Sequence, residues 1–193
     1  MILPVLKYGH PVLRQKGARI EAITPEITRL IEDMLETMYA AAGVGLAAQQ
    51  VGIPLQLTVI DVKDVRDRPS TLEIGSHPAT IHDHMPLVLI NPELKPLGKP
   101  VVGPEGCLSF PELYADVERP ESVDVTAMNG RGETIRFRCG GLLARAVQHE
   151  TDHLHGILFI DRMSSETKKE LKPELDVLQE TTKAALKKGA KDQ

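Results

Sequence analysis

The stretch His149-Glu150-Thr151-Asp152-His153 sets two imidazoles four residues apart, with a carboxylate directly after the first. On a helix, residues four apart lie about 40° apart around the axis and one turn along it, so both rings can reach one cation. Glu150 then stands where a carboxylate can take a proton from a coordinated water without entering the ligand set. That is the chemistry of a metal-dependent hydrolase. The plainer alternative is a pair of helix-surface histidines among acidic neighbours.

A catalytic ion needs a third protein ligand and one open position. A third histidine six residues beyond His153 fails, because Gly156 is present but position 159 is phenylalanine. Glu174 lies about twenty residues downstream, as in other metallopeptidases, yet it follows Pro173 in a segment of alternating charge that suits a solvated helix. Cys107, in Glu105-Gly106-Cys107-Leu108-Ser109-Phe110-Pro111, would bind as a thiolate, although an isolated cysteine is more often a small buried hydrophobe. Spacing alone does not choose between them. Cys139, beside Gly140-Gly141, reads as buried, and His77, His82 and His84 come without the carboxylates or thiols that a second metal site needs.

The segment Gly43-Val44-Gly45-Leu46-Ala47-Ala48-Gln49-Gln50 is built of small residues that let another backbone approach. It lacks the third glycine and the Gly-Lys-Ser/Thr ending of a phosphate loop. Gln50 offers a neutral donor for a developing oxyanion, its ordinary alternative being local hydrogen bonding.

These residues need elements to hold them. Residues 1–24, broken by Pro4, Gly9, Pro11 and Gly17, read as an extended arm over a core. Thr24 as N-cap, Pro25 in the first turn and Ile27, Leu30, Ile31, Met34, Leu35 and Met38 at helical spacing predict an amphipathic helix over 25–41. Residues 55–62 and 87–91 read as strands, with 63–86 between them as a long surface loop and the stretch most prone to disorder. Residues 121–128 and 133–139 flank Asn-Gly-Arg-Gly and predict an antiparallel hairpin. The metal-binding helix should run from 142 to 155. Beyond Ser164 a C-terminal helix is interrupted or restarted at Pro173 and ends in Lys183, Lys187, Lys188 and Lys191. The expectation is an α+β fold: antiparallel strands around a central metal-binding helix, a catalytic domain over 1–164, then a helix and basic tail over 165–193.

Composition bounds the partners. The 193 residues carry 23 Lys+Arg against 27 Asp+Glu, a net charge of -4, too balanced for a protein held to DNA by bulk charge. No run of about 18 apolar residues predicts a membrane span, and two cysteines make no disulfide framework. A cytoplasmic chain without a leader is the expectation.

Three segments taken together, 43–50, 105–109 and Gln148-His149-Glu150-Thr151-Asp152-His153-Leu154-His155-Gly156, resemble in order and spacing the signature motifs of the peptide deformylase family. The opening Val5-Leu6-Lys7-Tyr8-Gly9-His10-Pro11-Val12-Leu13-Arg14 is similar to that family's N-terminal arm, so the likeness spans roughly residues 2–162. The resemblance implies Cys107, His149 and His153 as metal ligands, Glu150 as general base and acid, and Gln50 with the Leu108 N–H as oxyanion donors. It implies ferrous iron as the native cation, with zinc, nickel or cobalt able to replace it. The implied substrate is a nascent polypeptide beginning with N-formylmethionine, which is split to formate and a free amino terminus. The substrate backbone should pair along Val44, Gly45 and Leu46, with Val44 and Leu142 as candidate walls of a methionine pocket. Formylated chains emerge at the ribosome, so the C-terminal lysines are candidates for touching ribosomal RNA. The alternative function is a zincin-type metallopeptidase using Glu174. Three departures bear on substrate contacts: Tyr114 where an arginine is common, Gly103 where a larger apolar residue is common, and Arg145 where the pocket is often aliphatic.

Overall fold

The computed structural model describes residues 1–190, so Lys191 lies outside the described residues. Helix α1 (Pro25–Ala40) starts where the sequence places it. The Thr24 side chain accepts a hydrogen bond from the Ile27 N–H at 3.3 Å, Pro25 occupies the first turn, and Leu30, Ile31, Met34 and Met38 are buried. Seven strands follow: β1 (Gly45–Ala47), β2 (Leu57–Ile60), β3 (Ser70–Ile74), β4 (His77–Pro78), β5 (Leu87–Cys107), β6 (Phe110–Met128) and β7 (Thr134–Gly140). They form one antiparallel sheet in the order β1-β2-β5-β6-β7-β3-β4. Helix α2 (Gly141–Leu154) packs on this sheet through Leu142, Leu143, Ala146 and Val147, in one core with Ile60, Leu89, Val123, Val125 and Phe137. Helices α3 (Ser165–Glu170) and α4 (Lys172–Gly189) complete the chain, restarting next to Pro173 as the sequence implies. Leu175 of α4 is buried on a second cluster with Phe110, Phe159 and Val117. No helix among the described residues is long and apolar enough to cross a membrane.

The segment 63–86 corrects the sequence reading of a disordered loop. Within it β3 pairs with β7, and Leu72 is buried at 3% exposure in the main core. The turn to β4 uses Gly75 and Ser76, both with positive φ (58° and 63°), the backbone of a two-residue hairpin turn. Gly-Ser is a weaker hairpin signal than Asn-Gly, and a five-residue strand with one buried side chain leaves little periodicity to read.

The strand predicted over 87–91 is also much longer. β5 runs to Cys107 despite Pro92, Pro96, Pro100 and Pro104, because beyond Ile90 it has β6 on one side only, and edges tolerate proline. Its register against β6 shifts at 90/93, 97/100 and 106/107. At the last shift Cys107 faces Phe110 and Gly106 faces Tyr114, so residues 111–113 are extra on β6 and bulge outward.

The N-terminal arm is stitched to the core by its backbone. The Leu6 N–H donates to the Gln50 carbonyl at 2.8 Å and the Tyr8 N–H to the Ser109 carbonyl at 2.9 Å. The Asn91 side chain holds both the N–H and the carbonyl of Ile20.

Because Leu72 closes the core under β3, Leu72→Ala should lower the unfolding free energy by about 2–5 kcal/mol in urea titration. A residue in a solvated loop would change it by less than about 0.5 kcal/mol.

Candidate metal centre

Helix α2 is aimed by the strand that the sequence hides. Its uncapped N-terminus is met by the chain entering β3: the Leu142 N–H donates to the Pro69 carbonyl at 3.1 Å and the Leu143 N–H to the Ser70 hydroxyl at 2.9 Å. With the helix so placed, His149, Glu150 and His153 are buried between it and the β5–β6 hairpin. Cys107 ends β5, immediately before the Leu108-Ser109 turn into β6.

These elements bring Cys107, His149 and His153 together, with one ligand atom of each within 4.8 Å of the others. The Cys107 Sγ lies 3.4 Å from the His153 Nε2, against about 3.6 Å for a sulfur and a nitrogen sharing one tetrahedral ion. The Glu150 Oε2 is buried beside them without a hydrogen-bond partner, as an oxygen reserved for a water on a cation would be. One thiol and two imidazoles are a donor set that borderline-soft divalent ions accept, so the residues fit a metal. Among the described residues this is the one such group; His77, His82, His84 and Glu174 are not part of it.

Behind the ligands stands a charged chain. His149 Nδ1 is 3.1 Å from Glu105 Oε2, and a bond there leaves Nε2 for the ion and fixes the tautomer. Arg119 grips Glu105 through two nitrogens and Asp152 at 2.9 Å, and Arg162 takes the other side of Asp152 at 2.8 Å. Arg145 adds a bond to Glu105 at 3.2 Å. Burial alone would raise the Glu105 pKa, but the hydrogen bonds of His149 and Arg119 outweigh it and hold the carboxyl down at about 2. Glu150 has no such partner, and burial pushes it up to about 7. Burial opposes protonation of both imidazole rings. For His149 the neighbouring Cys107 and Glu105 overcome it, whereas His153, facing His149 and Arg119, falls well below the usual imidazole value.

A cavity of about 470 Å³ opens onto this group, lined in part by Val44, Gly45, Gln50, Cys107, Leu108, His149 and Glu150. Gln50 is buried and its amide is oriented: Oε1 accepts from the Ala47 N–H at 2.9 Å, leaving Nε2 3.2 Å from the Ser109 hydroxyl and 3.6 Å from the Cys107 sulfur. β1 pairs on one side only. The Asp61 N–H donates to the Val44 carbonyl, so Val44 and Leu46 spend their backbone groups on β2 and those of Gly45 face the open edge. Gly45 is also where Glu150 comes closest: a Cβ there would stand 2.5 Å from Glu150 Oε1.

Leu46, expected to pair through its backbone, and Leu142, expected as a pocket wall, are not among the residues lining this cavity. The Leu46 side chain is fully buried in the core beneath α1, leaving only its strand position beside the cavity. Leu142 lines a separate cavity with Gly103 and Arg145, because it lies seven residues, about 10 Å of helix, before His149. Sequence reasoning missed Glu105, Arg119, Ser109 and Lys7, whose ammonium donates to the Leu108 carbonyl at 2.8 Å. Glu105 had a signal: it lies two residues before Cys107 on a strand, where alternate residues share a face.

An antiparallel sheet packed on a helix that supplies two imidazoles and a free carboxylate, with a thiol from a hairpin, defines a metallohydrolase of the α+β class. The family model for polypeptide deformylase matches residues 2–169, and the chain belongs to that family. A peptide deformylase of Methylacidiphilum infernorum is 49% identical over 176 residues, covering 91% of this chain and 92% of that one. The enzyme of Opitutus terrae is 41% identical over 189 residues, covering 97% and 98%. Among solved structures, the Synechococcus elongatus peptide deformylase in complex with actinonin superposes with a TM-score of 0.76 at 42% identity, covering 91% of this chain and 85% of that one. Peptide deformylase 1B of Arabidopsis thaliana gives 0.81 at 35% identity, covering 95% and 93%. The chain is thus a hydrolase of formylated peptide ends, and the metallopeptidase reading through Glu174 is not favoured.

Glu105→Gln should weaken metal retention by about 10–100-fold, the usual effect of losing the partner of a ligating imidazole. Chelator competition followed by elemental analysis reads this directly.

Proposed function

We propose that this chain removes the formyl group from N-formylmethionyl nascent polypeptides, with Cys107, His149 and His153 holding one divalent cation, ferrous iron in the native enzyme. The observation that carries the reading is the convergence of that ligand set, the unpartnered Glu150 carboxylate and the oriented Gln50 amide on one cavity beside the open edge of β1. Zinc, nickel or cobalt suits the same donors, so supply in the cell decides occupancy. When bound, the cation supplies Lewis acidity that brings the pKa of a water toward neutrality.

The protein's own residues do the rest. The Gly45 N–H and carbonyl pair with the substrate backbone as a strand added to β1, which orients the formyl group at the metal ligands. Glu150 takes the proton of the attacking water and delivers it to the departing amine, a two-way task suited to a carboxyl poised near neutrality. Gln50 Nε2 and the Leu108 N–H donate to the carbonyl oxygen as it gains charge. Val44 contributes an apolar wall for the methionine side chain. A formyl carbon bears only hydrogen, so a site crowded by the close packing of Glu150 on Gly45 favours it over larger acyl groups.

The setting is cytoplasmic. Lys187 and Lys188, exposed at the end of α4, extend the substrate reading to contact with ribosomal RNA, together with Lys183, which pairs with Glu180 at 3.2 Å. Salt-dependent co-sedimentation with ribosomes should weaken when these lysines become alanine; equal binding of both forms would count against that contact.

Anaerobically iron-loaded protein should release formate from a formyl-Met-Ala-Ser peptide, and loaded protein without turnover would refute the assignment. Gln50→Ala should lower kcat by about 10²–10³-fold with metal content unchanged. Gly45→Ala should also keep the metal while losing at least about tenfold in kcat/KM, since the added methyl displaces Glu150.

A further inference from the structure

The cavity over the metal centre does not end at its rim. Pro111, Glu112 and Leu113, the extra residues of the β6 bulge, line it on one face and on the other line a second groove of about 600 Å³ closed by Pro173, Val177, Leu178 and Thr181 of α4. Leu113 and Leu178 are rooted in the core cluster of Phe110 and Phe159, which gives the groove a firm floor. Val177 remains 68% exposed on its wall, and Tyr114, 72% exposed, stands on the rim of the first cavity with its ring against Gly106. Glu112 adopts a left-handed backbone (φ 61°), a conformation uncommon outside glycine, at the crest between the two spaces. The charged groups lining the groove, Glu112 and Glu174, are both carboxylates.

We propose that this groove takes an apolar side chain of the substrate polypeptide downstream of its formylated end, making α4 part of the substrate track. The inference rests on the deformylase reading and adds a specificity that reading lacks. The groove adjoins the first cavity across Pro111, Glu112 and Leu113, so it receives residues downstream of those that the first cavity holds, and the fourth to sixth positions are the ones to vary. An apolar side chain buries the exposed wall of Val177, whereas an acidic one meets two like charges.

The test compares formate release from formyl-Met-Ala-Ser with release from six-residue formyl-Met-Ala-Ser peptides carrying leucine, serine or glutamate at the fourth, fifth or sixth position. Leucine at one of these positions should lower KM by about tenfold relative to serine, and glutamate should raise it. Val177→Glu should abolish the leucine advantage without changing kcat/KM on the tripeptide; Val177→Ser should reduce the advantage in part. Equal KM for all three series, or a leucine preference that survives Val177→Glu, overturns the proposal while tripeptide turnover leaves the deformylase reading standing. A wild-type dimer in sedimentation that Val177→Glu dissolves also overturns it, assigning the groove to a second copy of the chain. Absence of formate from the tripeptide removes the underlying reading and the proposal with it.

Discussion

A guanidinium with 4% of its side chain in solvent persists only where carboxylates answer it, and Arg119 of β6 is answered from two directions, by Glu105 of β5 and Asp152 of α2. Removing one partner of such a buried pair typically costs about 3–5 kcal/mol, because the other charge is left stranded. The network therefore admits one placement of the hairpin against the helix. Glu105 also receives His149, and Cys107 follows two residues later on the same strand, so a single charged contact fixes both the imidazole and the thiol. Three of the six Phe and Tyr rings pack together against His149 as well. Tyr8 stacks on Phe110, Phe110 meets Phe159 edge-on, and Phe159 lies 5.8 Å from the His149 ring. Polar restraint from one direction and apolar packing from the other leave the ligand little freedom.

The N-terminal arm has a related task. By taking the carbonyls of Gln50, Leu108 and Ser109, its backbone and Lys7 anchor both segments that carry the proposed oxyanion donors. The arm is extended where its backbone bonds to neighbouring loops, at Leu6 and Tyr8, and departs from the expected extended form at Pro11–Arg14, a 3-10 helix closed by its own hydrogen bonds.

How much of this was legible depended on whether a feature was local. The cap and apolar stripe of α1, the Asn-Gly hairpin and the restart at Pro173 are written in contiguous residues, and the structure follows them closely. The His-Glu-His face of α2 was legible for the same reason. The thiol of the group was not: Cys107 lies 42 residues from His149, a separation that no local pattern spans, and the resemblance of three segments is what links the two in the sequence. β3 and the far half of β5 escaped because their signals are tertiary. A five-residue strand is held by one core leucine, and a proline-rich strand is tolerated by an empty edge. Glu105 and Arg119 escaped because a buried charge is recognised by its partners, which lie on three different elements.

β1 exposes a bare flank only three residues long, closed at one end by the short 3-10 turn Ala48–Val51 and overhung by Glu150. A docking ledge this brief cannot seat a strand already committed to another sheet, whose hydrogen bonds would have to be surrendered first. It can seat a loose terminus whose backbone still bonds to water. If substrate pairs there as proposed, the ledge sets a schedule: processing belongs to the interval before the client polypeptide folds, and a terminus that has been tucked away is beyond reach.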